Sequence, residues 1–437
     1  MSTTERLAAF LDTCPTPYQV TDYILKALKE HEFTELKEHE PWSLEPGKSY
    51  VVTRNESAVI VFRIPVGKPK GFLIGATHDD SPALKIKPDP ETESAGMVRL
   101  NVEGYGGLLR APWFDRPLAI AGRVCVRTPN GIQSRHLFID RDICVIPSLA
   151  IHMDRNINTA GHVYEIQKEM LPVFRTKDST VTFQTLLANE LGVNESDILS
   201  HDLIVCPRTK AAITGADASM ISAPHLDDLQ CTFASLEGFL HAEASASIPV
   251  MAVFDNEEVG STSLQGANGT FLEDTLHRIE ECLRLTHDDF CSICSSSFVL
   301  SADNSHAVHP NYPEKADPTH HPKMNGGIVL KYAASTSYLT DAVSSALVED
   351  LCSTNSIPVQ HFSNHSNIPG GSTLGRLSVQ HLGIRTADIG LAQLAMHSPY
   401  ETAGVKDTDY LIQLFRAYYA SSLCTEADGA QHFVQNH

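Results

Sequence analysis

The sequence predicts an α/β protein: a mixed sheet flanked by helices, interrupted by an inserted β-rich domain. Three observations predict it. At 437 residues the chain exceeds the size at which one core stops growing, so two domains are expected. After about residue 220, helical and strand patterns alternate, as in a sheet with helices on both faces. Between them lies a block of period-2 alternation and turn signals. The expected boundaries are 1–90 and 216–437 for the interrupted domain and 91–215 for the insert.

Taken in order, Ser2 and Glu5 have capping-box spacing ahead of Leu7, Phe10 and Leu11, so the chain should open as a helix. Pro15-Thr16-Pro17 breaks it, and Val20, Ile24, Leu25 and Leu28 mark the buried face of a second helix. Apolar runs at 49–53, 58–64 and 72–76 read as strands. In the insert, 98–102 and 122–127 alternate, Pro129-Asn130-Gly131 is a turn, and a helix over 182–191 is closed by Gly192. Beyond it, 229–242 reads as helix. Ile248 to Phe254 is continuously apolar, as expected of a strand covered on both faces. Short strands are expected at 297–300 and 384–388, and a closing helix at 407–424.

The net charge is −20, from 53 acidic and 33 basic residues, which argues against nucleic acid or a membrane surface as partner. Any preference for acidic substrates must then come from a local basic pocket. No apolar leader or run of about 18 apolar residues is present, so a soluble cytoplasmic protein is expected. Ten scattered cysteines favour reduced thiols. The one close pair, Cys291-x-x-Cys294, lacks the second pair of a zinc knuckle, and buried structural cysteines are the expectation there.

Four candidate strands run into metal-capable residues at their C-terminal ends. These are His78-Asp79-Asp80, Asp255-Asn256-Glu257-Glu258, Asp303, and, past a short loop, His397; a fifth cluster, Asp227-Asp228, precedes a helix. Ligands of open α/β sheets bind outside the strand C-termini, so these clusters can converge. Two histidines and three carboxylates suit two zinc-like ions, with one carboxylate bridging. His78-x-Asp80 spacing lets Asp80 hold the histidine ring by its other N–H. Glu257 and Glu258 would repel one another unless a cation neutralised one of them. On extended backbone they would point to opposite sides, so that one ligates while the other takes a proton.

Each cluster alone has a plainer reading. A histidine after a strand is more often a hydrogen-bonded structural residue, adjacent glutamates are usually a solvated surface, and Asp227 or Asp228 could cap a helix. Their joint placement at strand ends favours a metal site.

Seven ordered strings carry a resemblance: Thr77-His78-Asp79-Asp80-Ser81-Pro82, Trp113-Phe114-Asp115-Arg116, Ala223-Pro224-His225-Leu226-Asp227-Asp228, Phe254 to Ser261, Ser301-Ala302-Asp303, His306 to Tyr312, and Met396-His397-Ser398. Together they resemble the motifs of the aspartyl aminopeptidases over nearly the whole chain. The resemblance implies a metal-dependent aminopeptidase with two divalent ions per subunit, zinc first and manganese or cobalt as substitutes. His78 and Asp303 would hold one ion, Glu258 and His397 the other, with Asp227 bridging and Glu257 as general base. It also implies peptide substrates with N-terminal Asp or Glu, a dimerisation role for the insert, and a homo-dodecamer built from dimers. His152 would help complete a neighbouring subunit's site, and Lys331 and Tyr338 would lie around the substrate.

The chain departs from the family pattern at Asp79, where Thr is usual, and at His225 and Asp228, where Arg and Asn are common. The segment from His365 to Thr373 departs as well. None of these is a proposed ligand; they bear on substrate preference, leaving neutral N-terminal residues as an alternative. A two-metal deacylase and an inactive self-assembling scaffold are the competing functions, the latter disfavoured because every proposed ligand is present.

Overall fold

The computed structural model describes residues 1–368, 370–371, 373–375 and 382–435; Pro369 and Ser372 of the departing segment lie outside them. A nine-stranded mixed sheet forms the centre. Its strands in chain order are β1 (Thr34–Leu36), β2 (Ser49–Arg54), β3 (Ala58–Arg63), β4 (Phe72–His78), β5 (Ile248–Phe254), β6 (Phe298–Ala302), β7 (Ile328–Tyr332), β8 (Val359–Ser363) and β9 (Arg385–Gly390). In space they run β1-β2-β3-β5-β4-β6-β9-β7-β8. The four middle strands, β5, β4, β6 and β9, are mutually parallel, so their C-terminal ends lie along one edge.

Period-2 alternation divides β5 between two cores. Met251 and Val253 face one with helices Leu226–Leu240 and Asp407–Tyr419, while Val250, Ala252 and Phe254 face another with helices Phe271–Cys282 and His287–Ser295. Both faces of the sheet are therefore covered, and β4 and β5 are buried throughout. Pro249 sits at the second residue of β5, within the covered sheet.

At the N-terminus, helices Thr3–Thr13 and Pro17–Glu30 flank the proline break, and the Ser2–Glu5 capping box forms in both directions. A six-stranded antiparallel sheet is built from strands between Ala83 and Pro207, ordered 131–144, 118–128, 198–207, 83–94, 97–105, 173–176. Pro129 and Asn130 make its hairpin turn between Thr128 and Gly131. Thr182 caps helix Phe183–Leu191, and Gly192 ends it at φ +64°. A small five-stranded sheet contains Glu401–Gly404 and Ser305–His306.

Three local expectations change. The closing helix stops at Tyr419, and Ser421–Thr425 instead pairs antiparallel with Gln431–Gln435. Glu257 and Glu258 lie in a 3-10 turn, Glu257–Val259, rather than on extended backbone. Cys291 is exposed and Cys294 half-buried on helix His287–Ser295, because the i,i+3 pair Phe290 and Ile293 takes the buried face. Among the described residues, no helix is long and apolar enough to cross a membrane.

Candidate metal centre

The parallel strand ends deliver their polar residues to one cavity of about 460 Å³. His78 ends β4, Glu257 and Glu258 follow β5, Asp303 follows β6, and His397 follows β9 through the short strand Ala392–Leu394. Asp227 enters from the first turn of helix Leu226–Leu240, where Asp227-Asp228 is a cis peptide. His225, Asn256 and His397 all hold positive φ, at 59°, 65° and 68°. Left-handed backbone at non-glycine residues costs energy and clusters where side chains must be aimed.

Asp227 stands between the two imidazoles. Its Oδ1 lies 3.7 Å from His78 Nε2 and its Oδ2 lies 3.6 Å from His397 Nε2. Glu258 Oε1 is 3.3 Å from the same His397 nitrogen. Two trios that share Asp227 bring one donor atom each to within 4.8 Å of one another: His78, Asp227 and Asp303, and Asp227, Glu258 and His397. His78, Glu257 and Glu258 form a third that overlaps both.

Asp80 organises the surroundings. Its Oδ1 is 3.3 Å from His78 Nδ1 and accepts the Glu257 N–H at 2.9 Å, and its Oδ2 accepts the Glu258 N–H at 3.0 Å. Tyr105, on the antiparallel sheet, donates its hydroxyl to Asp80 Oδ2 at 2.7 Å and accepts from Asn256 Nδ2 at 2.9 Å. One carboxylate thus orients both a ring and the turn that aims two glutamates.

Glu401, like Tyr105, is a residue that sequence reasoning missed. Buried in the small sheet, it accepts the Asp227 N–H on Oε2 at 2.9 Å and the His397 N–H on Oε1 at 2.7 Å. Its only sequence signal is a charge within an otherwise uncharged short strand, Glu401–Gly404.

The concentration of buried carboxylates shifts their affinities for protons. Burial, with Asp303, Asp80 and Asp227 nearby, pushes the Glu257 carboxyl up to about 8. Burial raises Asp303 to about 6 and Glu258 well above its usual range. Burial disfavours the charged His78, but Asp227 and Asp80 outweigh it and raise that imidazole. Burial opposes ionisation of Asp227 as well, yet His78 and His397 hold it below the ordinary range.

The donor set fits divalent metal. Asp227 Oδ1 and Glu258 Oε1 are buried without a hydrogen-bond partner among the described residues. Crowded carboxylates and facing imidazole nitrogens leave a shortage of positive charge that zinc-like ions relieve, and imidazole nitrogen with carboxylate oxygen is a suitable ligand chemistry.

Lys331 and Tyr338 also line the cavity. Lys331 Nζ donates to the Asn304 carbonyl at 3.0 Å, lies 3.7 Å from Asp303 Oδ1, and sits 5.3 Å from the Tyr338 ring centroid. Although burial disfavours its charge, Asp303 and neighbouring acids keep the ammonium protonated. His152 lies elsewhere, in an exposed turn, and does not line the cavity. Of the departing positions, His225 is buried and pushed down to about 4 by desolvation, while Asp228 Oδ2 accepts the His78 N–H at 3.3 Å.

An α/β sheet whose strand ends gather histidines and carboxylates around one cavity has the donor set of a metal centre, placed at the ligand-binding edge of the sheet. Residues 10–419 match the family described as aminopeptidase I zinc metalloprotease (M18). A probable M18 family aminopeptidase 2 from Clostridium novyi is 41% identical over 425 residues, covering 94% of this chain and 97% of its own. An aspartyl aminopeptidase from Dictyostelium discoideum is 37% identical over 465 residues, covering 94% and 95%. The structure described as the S. cerevisiae mApe1 dodecamer superposes with a TM-score of 0.83 at 28% identity, covering 95% and 96%. This chain belongs to the M18 peptidase family. It is a metal-dependent aminopeptidase, a hydrolase acting on peptides.

Proposed function

We propose that the centre is dinuclear and that the enzyme removes N-terminal acidic residues. The observation that carries the first point is Asp227, with one oxygen toward each imidazole. In this reading His78 and Asp303 would hold one ion and Glu258 and His397 the other, with Asp227 available to both. When bound, the two ions would polarise the scissile carbonyl and acidify a water molecule.

The chain's own residues do the rest. Glu257 accepts the water's proton on its carboxylate and returns it to the leaving amine nitrogen. Asp80 fixes the His78 ring and, through two backbone N–H bonds, the position of Glu257. The free amino group of the substrate binds beside the carboxylates, which confines cleavage to the first residue.

Acidic preference is supported by Lys331, a buried ammonium on the cavity wall, with Tyr338 beside it. The Dictyostelium relative's name points the same way. For the assembly, we propose residues 1–90 and 216–437 as the catalytic unit and 91–215 as a β-rich dimerisation unit. A dodecamer built from such dimers would be in keeping with the yeast assembly. His152, exposed on its own subunit, would then complete a neighbour's cavity. Ten free cysteines are in keeping with work in the reducing cytoplasm.

The test is hydrolysis of a panel of aminoacyl chromogenic substrates, before and after chelation and after adding back zinc, manganese or cobalt. Metal-restored cleavage of Asp and Glu substrates above Leu and Ala supports both parts. Preference for Leu or Ala would sink the acidic assignment, and full activity at one ion per chain would sink the dinuclear one.

A further inference from the structure

A second acidic cluster adjoins the first and contains no imidazole. One carboxylate oxygen each from Asp79, Asp80 and Asp255 lie within 4.8 Å of one another, and the three residues are only 2%, 2% and 5% exposed. Asp80 and Asp255 are well engaged. Asp255 accepts the Asn256 N–H at 2.7 Å, Asn256 Nδ2 at 2.9 Å and Gln265 Nε2 at 3.3 Å, and Asp80 holds Tyr105 and the two glutamate N–H groups.

Asp79 is different. Its N–H donates to the Phe254 carbonyl at 3.0 Å, but neither carboxylate oxygen has a hydrogen-bond partner among the described residues. An acid side chain buried without a partner is costly, and this one directs an oxygen at two other carboxylates. Such an arrangement calls for a positive charge.

The donor atoms say what could supply it. Oxygens within 4.8 Å of one another are close enough to share one calcium ion, whose oxygen distances are about 2.3–2.6 Å. An all-oxygen donor set favours hard cations over the imidazole-seeking metals. A cleft of about 70 Å³, lined by Thr16, Tyr18, Tyr105 and the Lys85–Asp202 ion pair, reaches Asp80 and Asp255, though Asp79 does not line it. With about 30 Å³ per water, the cleft can hold waters that complete the shell of an ion at Asp80 and Asp255.

We propose that Asp79, Asp80 and Asp255 bind a hard divalent cation of the calcium or magnesium type, at a site separate from the histidine-containing centre. The two sites meet at Asp80, which contacts His78 and pins the Glu257–Glu258 turn. A cation there would brace the residue that aims both.

The experiment titrates CaCl2 and MgCl2 into the zinc-loaded, full-length wild-type protein by isothermal calorimetry and follows its thermal midpoint. One additional cation per chain, with a rise in the midpoint, is expected. Asp79→Asn and Asp79→Thr should weaken that binding about tenfold or more and abolish the shift, with zinc content unchanged. Diffraction from wild-type crystals grown with CaCl2 gives a reading that does not depend on the variants: an ion between the three carboxylates supports the site. No extra cation in the wild type, equal binding in the variants, or no ion at those carboxylates overturns the proposal. Shared protons would then be what reconciles the three acids.

Discussion

Glu401 Oε1 accepts the His397 N–H at 2.7 Å and so fixes a backbone held at φ +68°. Its other oxygen accepts the Asp227 N–H at 2.9 Å. One buried carboxylate therefore sets the positions of two residues of the same trio, whose side chains face each other at 3.6 Å. The relation is purely through the main chain; Glu401 itself adds no donor to any of the trios.

Glu401→Gln tests this arrangement. The amide has one oxygen, so one of the two N–H groups would face an NH2 group. Loss of such a supporting contact typically costs about 10–100-fold in metal affinity. Zinc affinity measured by competition with a chromogenic chelator should fall by that order, with most activity regained at saturating zinc. Unchanged affinity would show that the main-chain strap does not matter.

Glu257→Gln separates proton transfer from metal binding. The amide preserves size and leaves the proposed ligands in place but cannot take a proton, and general-base catalysis is worth about 10²–10⁴-fold. The expected result is a fall in kcat of that order with full metal content by mass spectrometry. Near-normal turnover with metal bound would remove Glu257 from the mechanism.

The metal-stripped protein should lose stability as pH rises, which is the opposite of ordinary acid denaturation. Desolvation holds Glu257 at about 8 and Asp303 at about 6, both above their unfolded values. The fold therefore favours their protonated forms, and that contribution is fully present near pH 4 and lost as pH climbs through about 6 and then about 8. His78, also raised, acts in the same direction. Asp227 is lowered, so its opposite contribution fades only below the usual carboxylate range. Thermal midpoints of chelated protein should fall between pH 5 and pH 8, and excess zinc should remove or reverse the trend, because ligation needs the deprotonated groups. A chelated protein that gains stability across this window would contradict the crowding of acids described above.

What is legible in the sequence follows from how each residue is held. His78, Glu257, Glu258 and Asp303 each follow directly from an apolar strand, so the switch from hydrophobic run to metal-capable residue marks the sheet edge. Asp227 and His397 have weaker marks, since a helix start and a loop carry such residues for other reasons. Tyr105 and Glu401 have almost none. Each is a lone polar side chain whose partner lies 25 or 174 positions away, at Asp80 and Asp227 respectively. The turn at Glu257 departs from the extended backbone expected there because its shape depends on the N–H bonds to Asp80, a long-range contact that local pattern does not encode. Ser421–Thr425 resembles helix in sequence because Tyr418, Tyr419 and Leu423 continue an apolar face, whereas pairing with Gln431–Gln435 decides the matter.

Gly390 links the fold to the centre. A Cβ built there would stand 2.0 Å from the Asp303 carbonyl oxygen, closer than any side chain tolerates. Strand β9 can lie this close to Asp303 only because position 390 has no side chain; the neighbouring Ile389 carbonyl accepts the Asp303 N–H at 3.0 Å. In Gly390→Ala the obstruction is backbone, so the strands must part, at a cost of about 1–3 kcal/mol or more for overpacking. Asp303 would move with its strand. Zinc affinity should therefore fall together with the denaturation midpoint, and saturating zinc should recover only part of the lost stability. A variant with a lowered midpoint and unchanged zinc affinity would mean that Asp303 is held independently of β9.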